Sequence, residues 1–193
     1  MVVLRTAAWM IGIIYATVPS YWLMVHPRAR SWEQGGGKRL MAVGPLWLLT
    51  WMTAGAITWS WRRVLLYSTP WTWAPGAALI FFGLTIYAFA RRDFSVDQVL
   101  GRPELQPQKH EQRLVTAGIR SYVRHPYYLG HLCELLGWTI GTGLAVLYAL
   151  TAFAVITGYF MIRAEERELE QRFGQAYRDY KARTAALIPG RRA

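Results

Sequence analysis

A single cysteine, Cys133, stands among 193 residues, which excludes an internal disulfide and a cysteine-built zinc cluster. As a lone small thiol it reads as a packed side chain rather than a nucleophile. Acidic residues are also scarce, 11 against 22 Lys and Arg, so the net charge is +11 and the pI near 10.2. No GxGxxG, Walker loop or HExxH occurs, which leaves dinucleotide-fold and zincin readings without their sequence signatures. Internal repeats and low-complexity tracts are absent as well. In a soluble chain such a basic balance suggests nucleic acid; here the charges are segregated from long apolar stretches, which favours an anionic lipid surface and no nucleic-acid partner.

What the chain has in abundance is apolar and aromatic surface: 53% hydrophobic residues, with 10 Trp and 11 Tyr. Residues 6 to 25 form an apolar run whose 20 residues extend ~30 Å as a helix, the thickness of a hydrocarbon core. Trp9, Tyr21 and Trp22 lie inside it and no small-residue cleavage site follows, so it reads as a retained span rather than a signal peptide. A basic, glycine-rich loop from His26 to Arg39 separates it from a second span, Leu40 to Trp61, whose end carries Trp59 and Trp61 beside Arg62-Arg63 as an interfacial belt. Val64 to Trp73 links to a third, Ala74 to Ala90. Arg91 to Arg124 is the longest polar segment, broken by Gly101-Arg102-Pro103 and Pro107, and reads as a lid or substrate loop. Tyr127 to Ile140 is a fourth apolar segment of ~21 Å. Leu144 to Ile162 is the fifth, and from Ala164 the chain becomes a charged helix, with Glu168 and Arg172 spaced to pair at i,i+4, ending before Pro189-Gly190.

These elements predict an all-α integral membrane protein of about five transmembrane helices, a single domain over 1–193 with three N-terminal spans in 1–90 and a loop, helical hairpin and tail in 91–193. Alternating the spans puts 19 of the 22 Lys and Arg on one side and only Arg5, Arg62 and Arg63 on the other. The positive-inside rule makes the first side cytosolic, with the C-terminus inside.

Two polar islands then face each other across the last hairpin. One is Arg124-His125-Pro126-Tyr127-Tyr128-Leu129-Gly130; the other is Arg163 with Glu165-Glu166. Gly141-Thr142-Gly143 lets the chain turn between them and return to the same face. Taken singly, Pro126 could merely open a helix, and the charges around Glu165 could merely anchor a helix end. Within the fourth segment, Tyr127, His131, Glu134 and Trp138 share one helical stripe. A glutamate there costs roughly 2.5–3.5 kcal/mol near mid-bilayer and needs a partner facing inward; His131 is the nearest by spacing. One His and one Glu are too few for a metal site, and none is expected.

The ordered series Leu114-Val115-Thr116-x-Gly118, Tyr122-Val123-Arg124-His125-Pro126-x-Tyr128-Leu129-Gly130, a hydrophobic hairpin, Glu165-Glu166-x-x-Leu169-x-x-x-Phe173-Gly174-x-x-Tyr177-x-x-Tyr180 and Ile188-Pro189 resembles the isoprenylcysteine carboxyl methyltransferase family, with the related membrane phospholipid methyltransferases. The resemblance covers about residues 112 to 190. It implies an S-adenosylmethionine-dependent methyltransferase in the cytoplasmic or inner membrane, with a cytosolic catalytic region formed by the C-terminal half and a lipophilic small-molecule acceptor, an isoprenylcysteine-like carboxylate or another lipid-like molecule. His125, Tyr128, Leu129, Gly130, Glu165 and Glu166 are the residues it implies at the cofactor. Arg124, His125, Arg163 and Glu166 are those it implies in catalysis: an arginine to fork an acceptor carboxylate, and His125 as base where the acceptor carries a proton. Two other classes remain open beside it. Membrane sterol or polyprenoid reductases using NADPH also carry an Arg-His-Pro-like segment, and a small non-enzymatic membrane scaffold needs none of this chemistry.

Overall fold

The computed structural model describes residues 2–26, 36–92 and 113–189, and among them it is all-helical with no strand. The helices are α1 (Val2–Val25), α2 (Gly36–Thr58), α3 (Trp73–Arg92), α4 (Pro126–Thr142), α5 (Ala145–Phe173) and α6 (Gln175–Arg183). Three stretches are long and apolar enough to cross a membrane: Val3–Val25, Pro70–Arg92 and Ala145–Phe173. The basic loop after α1 and most of the expected lid, residues 27–35 and 93–112, lie outside the described residues.

Helix ends match the expected spans to within a few residues, with one informative exception. The charged segment from Ala164 is not a separate element: α5 runs unbroken for 29 residues and carries Glu165 and Glu166 along its own axis. The sequence has no helix breaker there before Gly174, which takes φ +57 and ends the helix; α6 then folds back. Glu168 and Arg172 form the expected i,i+4 ion pair.

The bundle is held by two kinds of packing. Ala8, Trp9 and Ile13 of α1 close against Leu135 of α4 and Leu147 and Leu150 of α5 in a dry core. Between α3 and α4 the contact is backbone on backbone. A Cβ on Gly83 would lie 2.6 Å from the Gly130 carbonyl, and one on Gly137 would lie 2.6 Å from that of Gly76. Glycines at Gly76 and Gly83 on one helix and Gly130 and Gly137 on the other recur every seven residues, so a glycine seam runs along both helices. In lipid, where apolar burial adds little between helices, such close approach is the main source of association.

At the far tip of the α4–α5 hairpin, Gly143 takes φ +66 and a side chain would meet the Tyr67 carbonyl at 2.5 Å. Leu66 N–H donates to the Gly143 carbonyl (2.9 Å) and Ala145 N–H to that of Val64 (3.0 Å), so the 64–67 link clasps the turn. Both polar islands consequently lie together at the opposite end of the bundle.

Proline inside α1 explains one buried histidine. Pro19 has no N–H to give the carbonyl four residues earlier, that of Tyr15. His131 Nε2 lies 2.6 Å from that carbonyl and donates to it, while its Nδ1 accepts from the Tyr87 hydroxyl at 3.2 Å. Glu134, expected to pair with His131, accepts instead from the Tyr15 hydroxyl at 2.6 Å. The partner comes from α1 because α1, not the next turn of α4, supplies the donor facing that carboxyl.

Candidate active site

A residue before proline is pushed out of the α region. His125 accordingly adopts φ −117, ψ 63, and Pro126 starts α4 at the position where its missing N–H costs nothing. The extended backbone this creates is claimed by the tail. Arg124 N–H donates to the Ala185 carbonyl (2.9 Å) and His125 N–H to that of Ala186 (3.1 Å), a short parallel pairing of residues 123–125 with 185–186. Tyr180 fixes the same region from α6, its hydroxyl donating to the Arg120 carbonyl at 2.7 Å. Arg120 in turn donates to the Ala90 carbonyl at the end of α3 (3.1 Å).

On this base the two islands meet through their side chains. Glu166 is buried and accepts from three cationic groups: Arg124 through Nε at 3.0 Å and also through a terminal nitrogen, His125 Nε2 at 3.4 Å, and Lys181 Nζ at 2.9 Å. Lys181 also reaches Glu170 at 2.8 Å. The remaining Arg124 terminal nitrogen donates to the Lys181 and Thr184 carbonyls. A buried arginine so fully engaged is a pin between α4, α5 and the tail. Its expected task of forking an acceptor carboxylate is already taken by Glu166.

His125 has the most constrained chemistry in the cluster. Its Nδ1 lies 3.1 Å from Glu165 Oε2 and its Nε2 faces Glu166 Oε1. Ionised carboxylates only accept, so both ring nitrogens carry protons. Burial opposes the charged ring, but Glu165 and then Glu166 outweigh it, and the imidazole is pushed up to about 9. With no lone pair near neutral pH it is a fixed cation, and the expected role of base does not suit it.

Glu165 is the open member. Its side chain is 27% exposed, and among the described residues it bonds only His125, through Oε2, leaving Oε1 over. On α6, Tyr177 is 1% exposed and its hydroxyl has no hydrogen-bond partner among the described residues. Tyr128 and Gly130, expected at the cofactor, serve helix packing. Tyr128 presses on Gly158 and donates to the Ala154 carbonyl at 2.5 Å, and Gly130 belongs to the seam. Leu129 is half-buried, and Arg163 is exposed, its guanidinium 5.8 Å over the Tyr159 ring.

One turn toward the membrane the ionic layer gives way to an apolar one. Tyr128, Met161 and Ile162 pack with Trp22, Leu23 and Leu187. At its edge the end of α1 contributes a second pair, His26 Nδ1 to Glu168 Oε2 at 3.0 Å, with Trp22 stacked on the imidazole. His26, Lys181 and Thr184 were not singled out from the sequence. Lys181 carried the one usable signal, since it follows Tyr177 by one helical turn within the motif series. No group of three metal-ligating side chains occurs among the described residues.

Comparison with known proteins places this geometry. The chain is similar to methanethiol S-methyltransferase 1 of Bradyrhizobium diazoefficiens, 38% identical over 82 residues, which are 42% of this chain and 28% of that protein. It is similar also to the protein-S-isoprenylcysteine O-methyltransferase of Rattus norvegicus, 30% identical over 128 residues, 62% of this chain and 42% of the other. A third relative, protein-S-isoprenylcysteine O-methyltransferase B of Arabidopsis thaliana, is 33% identical over 87 residues, 42% of each chain. The chain thus spans less than half the length of these relatives. No solved structure matches it. Residues 71–176 match the phospholipid methyltransferase family, a span that takes in both islands and the seam positioning them; the chain belongs to that family.

Proposed function

We propose that the protein is an integral membrane methyltransferase that uses S-adenosylmethionine and an acceptor with a lipophilic body and an ionised head. The observation that carries this is Glu165: a carboxylate held from one side by the cationic His125, with its second oxygen unclaimed among the described residues and its side chain 27% exposed. Such an oxygen fits a donor bearing an ammonium and ribose hydroxyls. When bound, the donor supplies a methyl group on an electrophilic sulfonium. His125 fixes the Glu165 carboxylate and holds it ionised, and Leu129 offers an apolar surface for the adenine. Arg124, Glu166 and Lys181 keep the tail closed beneath the site, so that α5 presents Glu165 in one position.

The acceptor's chemistry follows from what the cluster lacks. His125 cannot take a proton near neutral pH, so an acceptor that arrives already ionised, such as a carboxylate, suits the site better than an amine or an alcohol. Its lipophilic part has the layer of Tyr128, Met161, Ile162 and Trp22 one turn away, reached laterally from the membrane, and Arg163 at the rim is the cation available to its head. Most catalysis then comes from aligning donor and acceptor and excluding water. Five spans with this end of the bundle in the cytosol complete the proposal, on the 19-to-3 distribution of basic residues and the positive-inside rule.

A thermal-shift titration in detergent tests the cofactor class. Stabilisation by S-adenosylhomocysteine supports the reading, whereas stabilisation by NADPH alone replaces it with the reductase. Mass spectrometry of membranes incubated with methyl-labelled donor then identifies the acceptor.

A further inference from the structure

The last turn of α1 reaches the site from a part of the chain that the family match does not include. That match begins at residue 71, and α1 ends at Val25. Yet Trp22 and Leu23 pack with Tyr128, Met161 and Ile162 in the apolar layer. Met161 and Ile162 precede Glu165 by four and three residues on α5, so the layer and the ionic cluster share one helical face. A molecule with an ionised head at the cluster therefore has its lipophilic body at Trp22.

Two aromatic neighbours hold that indole. Tyr21 packs edge-on against it at 5.2 Å between ring centroids, and Tyr21 is itself tilted on Trp47 of α2 at 5.0 Å. The His26 imidazole stacks on it at 5.5 Å and 26°, and His26 is fixed in turn by Glu168, both side chains being buried. Keeping α1 in the bundle does not require this pair, because Ala8, Trp9 and Ile13 already anchor the helix in the dry core and Tyr15 bonds Glu134. Between those anchors and Trp22 stands Pro19, which removes one rung of the helical hydrogen-bond ladder. The turn beyond it needs a hold of its own. Burying an imidazole and a carboxylate there carries a desolvation cost, and what the pair fixes is the position of Trp22.

We propose that Trp22, braced by the His26–Glu168 pair, is the wall that selects the acceptor by the bulk of its lipophilic body. The inference rests on the acceptor reading given above and adds to it the residue that discriminates among acceptors, with His26 as its positioning residue. Glu165 lies within the stretch that matches the family and Trp22 outside it, so a change at Trp22 alters the acceptor preference and leaves the hold on the donor as it was.

The test uses the full chain in detergent, the variants Trp22→Ala, Trp22→Phe, His26→Leu and His26→Gln, and two probes whose chains are equally long. N-acetyl-S-dodecylcysteine has a linear body; N-acetyl-S-farnesylcysteine carries methyl branches along it. Calorimetry with saturating S-adenosylhomocysteine gives the ratio of farnesyl to dodecyl affinity, and partition of the probes into the micelle cancels when that ratio is compared between proteins. Trp22→Ala should raise the ratio about tenfold or more, 1.4 kcal/mol, which is about what two further buried methyl groups contribute. Trp22→Phe should raise it by less, and it carries the test where Trp22→Ala does not fold. His26→Leu should move the ratio in the same direction, while His26→Gln, whose amide still donates to Glu168, should stay near wild type. A loss of stability alone does not move a ratio between two probes. S-adenosylhomocysteine affinity should be equal in every variant and in wild type. An unchanged or lowered ratio in the Trp22 variants overturns the wall and leaves the acceptor reading standing. So does a loss of S-adenosylhomocysteine affinity that matches the loss of both probes, which makes Trp22 a structural residue. A wild type that binds S-adenosylhomocysteine and neither probe removes the acceptor reading itself, and the wall with it.

Discussion

The doubly bonded His125 makes a prediction about pH whose sign and size both follow from the structure. Its imidazole is raised from 6.5 to about 9 by the Glu165 and Glu166 carboxylates, which together outweigh burial. At 1.36 kcal/mol per pH unit, that gap corresponds to about 3 kcal/mol of stability. The folded chain holds this proton more tightly than the unfolded chain, so the contribution is complete below pH 6.5 and is lost as pH rises through 9. Thermal unfolding in detergent, followed from pH 6 to pH 10 for wild type and His125→Gln, reads it directly. The stability advantage of wild type over the variant should shrink by about 3 kcal/mol across that range, roughly 6–12 °C for a chain of this size. An advantage that stays constant from pH 6 to pH 10 would mean that the ring is not held as a cation, and the case for an already ionised acceptor would fall with it.

Four other outcomes are expected. Glu165→Gln should weaken S-adenosylhomocysteine binding by about 1.4 kcal/mol or more, a tenfold change in calorimetry, and should also lower the melting temperature, because it removes the carboxylate that most favours the charged His125 ring. Glu166→Gln should destabilise the chain by about 3–5 kcal/mol, as breaking one partner of a buried ion cluster does, and should expose the tail to proteolysis near Arg183. Gly83→Ala, whose new methyl meets the Gly130 carbonyl, should cost about 1–3 kcal/mol, while Gly44→Ala, with nothing within 4 Å, should be neutral or stabilising in the same melting assay. Reporter fusions after Arg62 and after Arg192 should report opposite sides of the membrane; equal signals would refute the proposed topology.

The helices, three of them long and apolar enough to cross a membrane, and the hairpin turn were legible because both are local: a run of hydrophobic residues has a length, and Gly141-Thr142-Gly143 announces a reversal. The meeting of Arg124-His125 with Glu165-Glu166 was legible from the same two features, since a hairpin returns its ends to one face. Partners chosen across the bundle were not. His26 and Glu168 are separated by 142 residues and Tyr15 and Glu134 by 119, and no periodicity links such pairs. Pro19 could have been read as leaving a carbonyl unpaired, but nothing local says that His131 fills it. Residue types also hid their packing duties: Tyr128 fills the notch at Gly158 and Gly130 lets α3 touch α4, neither of which the motif announces. A site motif in a membrane bundle must pack as well as bind, and its spelling does not separate the two.

The pairing of residues 123–125 with the tail has a consequence for how the chain is made. Arg124 meets Glu166 42 residues later and the Thr184 carbonyl 60 residues later. Translation at about 5–20 residues per second delivers the second of these roughly 3–12 s after the arginine has left the ribosome. Until Glu166 has been made, about 2–8 s after the arginine at the same rate, the charge of Arg124 has no internal counterion, and water or lipid headgroups must hold it. The ionic cluster is therefore the last part of the molecule to assemble. A nascent chain that has already made its helices lacks the closed cluster until its tail has been synthesised and has docked on residues 123–125.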